Sequence, residues 1–161
     1  MAVYVLGLGS SMGDRMAWLS MAQSALVSHP LATLRGVSRI YETPPLGGQA
    51  VGAFANAAIA IEWAGSPLEL LSHAKECELR LGRKKSARWA DRVIDIDLLW
   101  CSKGEISTTG LQIPHPRLNG RNFAIWPLVE AWPTALDLSG VTYRKRLRQL
   151  MPPAAIGVLA G

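Results

Sequence analysis

The chain has 161 residues, 49% of them apolar and 18% charged, and carries a net charge of +5. This length suits one domain, 1–161, able to bury about two-thirds of its unfolded surface, and the apolar content excludes a disordered chain. No apolar run reaches the ~18 residues that span a bilayer, and two cysteines, Cys77 and Cys101, form neither a disulfide framework nor a metal spacing.

The opening "MAVYVLGLGSSMGDR" has no basic start and no long apolar centre. It does not read as an export signal, so a cytoplasmic protein with two reduced, buried thiols is expected. Residues 2–8 form an apolar run typical of a buried strand. "GSSMGD" breaks the run as a tight turn, with Asp14 near the N-cap of a helix that ends before Pro30. Residues 33–42 read as a strand closed by "TPPLGG", and residues 54–63, "FANAAIAIEW", read as the next. Asn56 is out of place there, because a polar side chain in an apolar strand needs a partner.

Ser66-Pro67-Leu68-Glu69 is a capping box with proline at the first helical position. The helix it opens buries Leu70, Leu71, Ala74, Cys77 and Leu81 and stops at Gly82. A basic loop, "RKKSARWADR", leads into a strand over 93–101. A turn at Lys103-Gly104, a proline-bounded segment "IPHPRLNGRN", a helix near 123–131 and a basic amphipathic helix near 142–150 complete the chain. The order β-α-β-β-α-β followed by two helices predicts an α+β fold of ferredoxin-like type, an antiparallel sheet with helices packed on both faces. No exposed apolar stripe demands a partner, so a monomer is expected.

The last strand carries Asp95 and Asp97. Residues two apart in a strand share a face, so the two carboxylates point the same way while Ile94, Ile96 and Leu98 anchor the other face. Carboxylates this close repel unless a proton or cation intervenes. Hard oxygen ligands on one rigid strand suit Mg²⁺, with water and substrate phosphate completing the shell. The alternative is that the pair caps or bonds nearby arginines with no metal. Arg83, Arg88 and Arg92 just upstream can chelate phosphate oxygens, and a polyphosphate bridged to a metal makes nucleotide-dependent phosphoryl transfer the better reading.

The positive charge calls for a polyanionic partner. It gathers at Arg80, Arg83, Lys84, Lys85, Arg88 and Arg92, and again at Arg144, Lys145, Arg146 and Arg148. Either block could instead be a solvated face. "GLGSSMG" invites a nucleotide-loop reading and fails it. A dinucleotide fingerprint needs glycine where Met12 stands, and a P-loop needs Lys-Ser/Thr where Asp14-Arg15 follow.

Five segments, in order and over nearly the whole chain, resemble the 6-hydroxymethyl-7,8-dihydropterin pyrophosphokinase family. They are "LGLGSSMGDR", "SRIYETPPLG", "FANAAIAIE", "ELRLGRKKSARWADRVIDIDLLW" and "IPHPRLNGRNFAIWPLVE". The resemblance implies transfer of the β,γ-diphosphate of ATP to the pterin hydroxymethyl group with release of AMP. It implies Asp95 and Asp97 as ligands of two Mg²⁺ ions, with Arg83 and Arg92 stabilising the charge of transfer. Glu78, Lys85, Arg88, Trp89, Leu98, His115 and Arg121 would meet ATP together with Arg92. The pterin would stack between Phe54 and Phe123, beneath Trp89, with its edge read by Asn56 and the backbone of Thr43, Pro44 and Leu46. Without the resemblance, Phe54 and Phe123 read as core packing and His115 as a loop residue.

The chain departs from the family's pattern at Ser11, at Asp91 beside a phosphate arginine, at Gly110, and at Phe54 where tyrosine is common. One alternative function is a diverged paralogue with weak activity or another pterin substrate. Another is a basic nucleic-acid-binding module, which lacks its R-G-F-G-F-V-x-F aromatics and leaves the aspartate pair unexplained. The expected partners are ATP and the pterin, with neither nucleic acid nor membrane.

Overall fold

A computed structural model describes residues 1–44, 52–82, 93–148 and 150–161. Strand β1 (Ala2–Ser10) leads to helix α1 (Arg15–Val27). Asp14 accepts the backbone N–H of Ala17 at 3.1 Å and so caps α1 as expected. Strands β2 (Ala32–Val37) and β3 (Arg39–Thr43) follow, then β4 (Phe54–Trp63), helix α2 (Pro67–Arg80) and strand β5 (Asp95–Cys101). Ser66 Oγ accepts the N–H of Glu69 at 3.2 Å, and the chain leaves α2 through Gly82 at φ +87°.

The single strand expected over 33–42 is bent rather than continuous. β2 and β3 both pair antiparallel with β4, and Ser38 lies between them. Its hydroxyl takes the place of a backbone acceptor, receiving the N–H of Ala58 at 2.8 Å, while its own N–H donates to Ala58 O at 3.0 Å. The strand thus kinks without leaving a buried amide unpaired.

Among the described residues, six strands form one antiparallel sheet in the order β5-β1-β4-β3, with β2 continuing the β3 line along β4. The sixth strand, β8 (Ala154–Val158), closes the far edge against β3 and lies outside the predicted elements. A short hairpin, β6 (Ile106–Thr108) with β7 (Leu111–Ile113), was also unforeseen. Its turn ends on Gly110 at φ +86°, where a side chain is strained, so this departure has a local backbone reason. The bond between Ile113 and Pro114 is cis.

Two apolar cores sandwich the sheet. On one face Leu6, Leu8, Ile59, Ile61, Ile96 and Leu98 pack against α1 and α2 through Leu19, Leu26, Leu70 and Cys77. On the other, Val5, Ala58, Ala60 and Leu99 pack against helix α3 (Asn122–Ala131) and against Tyr143 and Leu147 of helix α4 (Tyr143–Leu147). Helices therefore cover both faces, as expected. α4 is shorter than the 142–150 pattern predicted, with Arg144, Lys145 and Arg148 exposed. Both cysteines are free and buried. Gly36 lets α3 close onto the sheet, since a Cβ there would lie 2.1 Å from Ala131 O. No helix among the described residues is long and apolar enough to cross a membrane.

Candidate active site

Strand register assembles the site. β1 extends to Ser10, two residues beyond the expected break, so Gly9 and Ser10 are strand rather than turn. Its Gly7 pairs with Asp97 on one side and Ala58 on the other; Gly9 pairs with Asp95 and Asn56. Asn56 in turn opposes Tyr41, and Phe54 opposes Thr43. Directly paired residues share a face, so Asp95, Asp97, Gly9, Asn56, Phe54 and Thr43 all line the α3 side of the sheet. Strands lie about 4.8 Å apart, which puts Asp95 roughly 10 Å from Asn56 across Gly9.

Gly9 is what clears this floor. A Cβ there would come within 3.3 Å of Asn56 Oδ1 and 3.7 Å of a Phe54 ring carbon. Sequence reasoning missed Gly7 and Gly9 as site residues. The signal was present: two glycines two apart on a strand leave one face bare.

Asn56 has the partner its position demanded. Its Nδ2 donates to Thr43 Oγ1 at 2.8 Å, which turns the amide oxygen toward Gly9. Thr43 is buried, Pro44 exposed, and Phe54 and Asn56 half-buried. The Thr43 side chain, not only its backbone, therefore belongs to this group.

Asp95 and Asp97 are half-buried, while Ile94, Ile96 and Leu98 are buried on the opposite face, as the alternation predicted. The Leu98 side chain lies in the core beneath α1 and α2, away from the aspartates. Glu78 of α2 is only 4% exposed, and its Oε2 accepts the N–H of Ile96 at 3.1 Å. β5 is an edge strand, so this bond occupies an outward amide between the two aspartates.

The late segment closes in beside them. His115 donates its backbone N–H to Leu99 O at 3.0 Å, and its Nδ1 accepts the N–H of Arg117 at 3.2 Å. Nδ1 being an acceptor, Nε2 carries the ring proton. Burial pushes the His115 ring below its ordinary pKa, Arg121 and Arg117 push it further, and Asp95 opposes them. The ring therefore feels Arg121, Arg117 and Asp95 together. The Arg121 guanidinium stands 5.7 Å from the centre of the Phe123 ring at the start of α3. At the other end of α3, Glu130 accepts hydrogen bonds from Arg39 and from the Tyr41 hydroxyl, which ties the helix to β3.

The structure thus gathers Thr43, Asn56, Phe54, Asp95 and Asp97 on one sheet face, with His115 in electrostatic contact with Asp95 and Arg121 with His115. Leu46, Arg83, Lys85, Arg88, Trp89, Asp91 and Arg92 lie outside the described residues.

Residues 5–133 match the family described as 7,8-dihydro-6-hydroxymethylpterin-pyrophosphokinase. A 2-amino-4-hydroxy-6-hydroxymethyldihydropteridine pyrophosphokinase from Bacillus subtilis is 39% identical, over 78% of this chain and 75% of its own. One of the same name from Aquifex aeolicus is 35% identical over 94% and 92%. The wild-type HPPK-DHPS structure of Plasmodium falciparum with pteroate superposes at a TM-score of 0.70 and 15% identity, covering 92% of this chain and 42% of that one. That likeness shows the fold, and the chain spans less than half the length of that structure. A nucleic-acid module is not favoured by any of these. The chain belongs to the 7,8-dihydro-6-hydroxymethylpterin-pyrophosphokinase family, the pyrophosphokinases of folate biosynthesis.

Proposed function

We propose that this chain transfers the β,γ-diphosphate of ATP to the hydroxymethyl group of 6-hydroxymethyl-7,8-dihydropterin and releases AMP, with Mg²⁺ at Asp95 and Asp97. The observation that carries the proposal is the row Asp95–Gly9–Asn56 across three paired strands. It sets an amide that can read a flat heterocycle on the same bare floor as two carboxylates.

The donor set fits the metal. Two carboxylates project from one face of a rigid strand, and no group of three or more His, Cys, Asp or Glu is gathered as a metal cage among the described residues. Mg²⁺ takes one or two carboxylates and leaves its other positions to water and phosphate. When bound, two such ions would neutralise the triphosphate and orient the attacking hydroxyl.

The protein's share is positioning and electrostatics. Asn56, fixed by Thr43, presents its amide oxygen to the pterin's amino edge. Phe54 and Phe123 offer rings for stacking. His115, neutral and donating through Nε2, and Arg121 hold phosphate oxygens. A contact between Leu98 and the nucleotide is through its main chain, since its side chain is in the core. Glu78 acts through β5, keeping the aspartates in register. Arg83, Lys85, Arg88, Arg92 and Trp89 keep the ATP roles implied by the resemblance, and Leu46 and Trp89 the pterin ones. The pterin hydroxyl oxygen attacks the β-phosphorus and AMP leaves, so no protein nucleophile is required.

The test is product identity. Incubated with ATP, Mg²⁺ and 6-hydroxymethyl-7,8-dihydropterin, the protein should form AMP and the pterin diphosphate in equal amounts. ADP instead of AMP would overturn the diphosphate assignment, and no product at all would overturn the activity.

A further inference from the structure

Arg15, the first residue of α1, hydrogen-bonds none of the residues assigned to substrate among the described residues. Its guanidinium is nevertheless committed to both strands that build the pterin floor. Nη1 donates to Ala53 O at 2.9 Å and Nη2 to Glu42 Oε2 at 2.5 Å. Glu42 and Ala53 immediately precede Thr43 and Phe54, which form the last β3–β4 pair before the strands part. Glu42 pairs with Ala55, whose side chain belongs to the core beneath α1 and α2. Arg15 therefore grips the hairpin from behind, on the face away from the substrate.

We propose that Arg15 is a positioning residue for pterin recognition. Its planar fork ties the β3 and β4 ends together and so sets the spacing of Thr43, Phe54 and Asn56. The proposal rests on the pterin reading given above.

The pair is a poor stability device, since its side chains are 26% and 40% exposed, and solvent-screened ion pairs contribute little. Its effect should instead fall on geometry, because small misplacements of binding groups are costly to recognition. No comparable tie links Arg15 to Asp95, Asp97, His115 or Arg121 among the described residues, so nucleotide binding should be spared.

The experiment compares wild type with Arg15→Ala, Arg15→Lys, Glu42→Ala and the double alanine variant. Arg15→Ala should weaken pterin binding, read by fluorescence, about tenfold while the Kd for Mg·ATP stays within about twofold. The double variant should be no worse than Arg15→Ala, because both act through one clamp. Lysine, which reaches one acceptor at a time, should recover part of the loss. Hydrogen exchange in the ligand-free protein gives a readout independent of activity: Arg15→Ala should speed exchange in peptides spanning 42–44 and 53–56 and leave β5 unchanged. Unaltered exchange there, or equal weakening of pterin and nucleotide, overturns the proposal. If wild type makes no AMP and binds no pterin, the functional reading fails, and the exchange result still decides whether Arg15 holds the hairpin.

Discussion

The carboxylate of Glu78 accepts the backbone N–H of Ile96, the one residue between Asp95 and Asp97. A helix thus fixes an edge strand at the point from which both acidic side chains project. Replacing Glu78 by alanine leaves a buried amide without its partner, which costs about 1–3 kcal/mol. Glutamine retains a carbonyl acceptor and should lose less. Urea unfolding separates the two, and equal stability of Glu78→Ala and wild type would show that the bond holds nothing in place.

Asp97→Ala should lower kcat for AMP formation by about a thousandfold or more, because charge stabilisation is the main part of this chemistry. The fold should survive, since Asp97 lies on the face away from the Ile96 and Leu98 core and is only half-buried. Circular dichroism and the thermal midpoint check the fold. Near-normal turnover in a folded variant would remove the aspartate pair from the chemistry.

Glu130 gives a pH signature. Burial raises its pKa, but bonds from Arg39 and Tyr41 outweigh burial and hold the carboxyl below its usual 4.5. A depressed carboxyl contributes stability that is present above about pH 4.5 and is lost as pH falls through the folded pKa. Glu130→Gln should therefore be less stable than wild type by about 1–2 kcal/mol at pH 7, with the gap narrowing as acid protonates the wild-type carboxyl. Paired denaturant curves at neutral and acidic pH test this. A gap independent of pH would assign the effect to packing.

Tyr41 shares that network. Burial, then its bond to the Glu130 carboxylate, push its hydroxyl up to about 12. A spectrophotometric titration should show one tyrosine ionising near there, and Glu130→Gln should bring that tyrosine down.

Gly36→Ala should destabilise the protein by about 1–3 kcal/mol, because the added methyl meets the Ala131 carbonyl at 2.1 Å and the last turn of α3 must lift from β2. The same substitution at Gly120, where nothing lies within 4 Å, should be close to neutral and serves as the control.

Much of this architecture could be read along the chain. β4 begins and ends where its apolar run does, and α2 follows from Ser66, Pro67 and Gly82. These elements are legible because their signals are local: period, cap and stop lie within one stretch of residues. The opposite facing of Asp95 and Asp97 against Ile96 and Leu98 follows from strand geometry alone.

β8 was illegible for the converse reason. "AAIGV" is short and weakly patterned, and becomes a strand only because β3, over a hundred residues earlier, offers it an edge. Gly9 was misread for a related reason. It carries no side-chain pattern, so the apolar run ends at Leu8 while β1 continues to Ser10.

The amino-acid order by itself determined the elements of the βαββαβ core and which acidic residues share a face, since each depends on residues close in the chain, and five segments along it carried the family resemblance. Only the tertiary structure decided that Gly9 lies between Asp95 and Asn56, that Glu78 holds Ile96, and that Arg15 grips both Glu42 and Ala53. Those relationships depend on strand register and on helices crossing the sheet, and register is a property of paired segments rather than of any one of them.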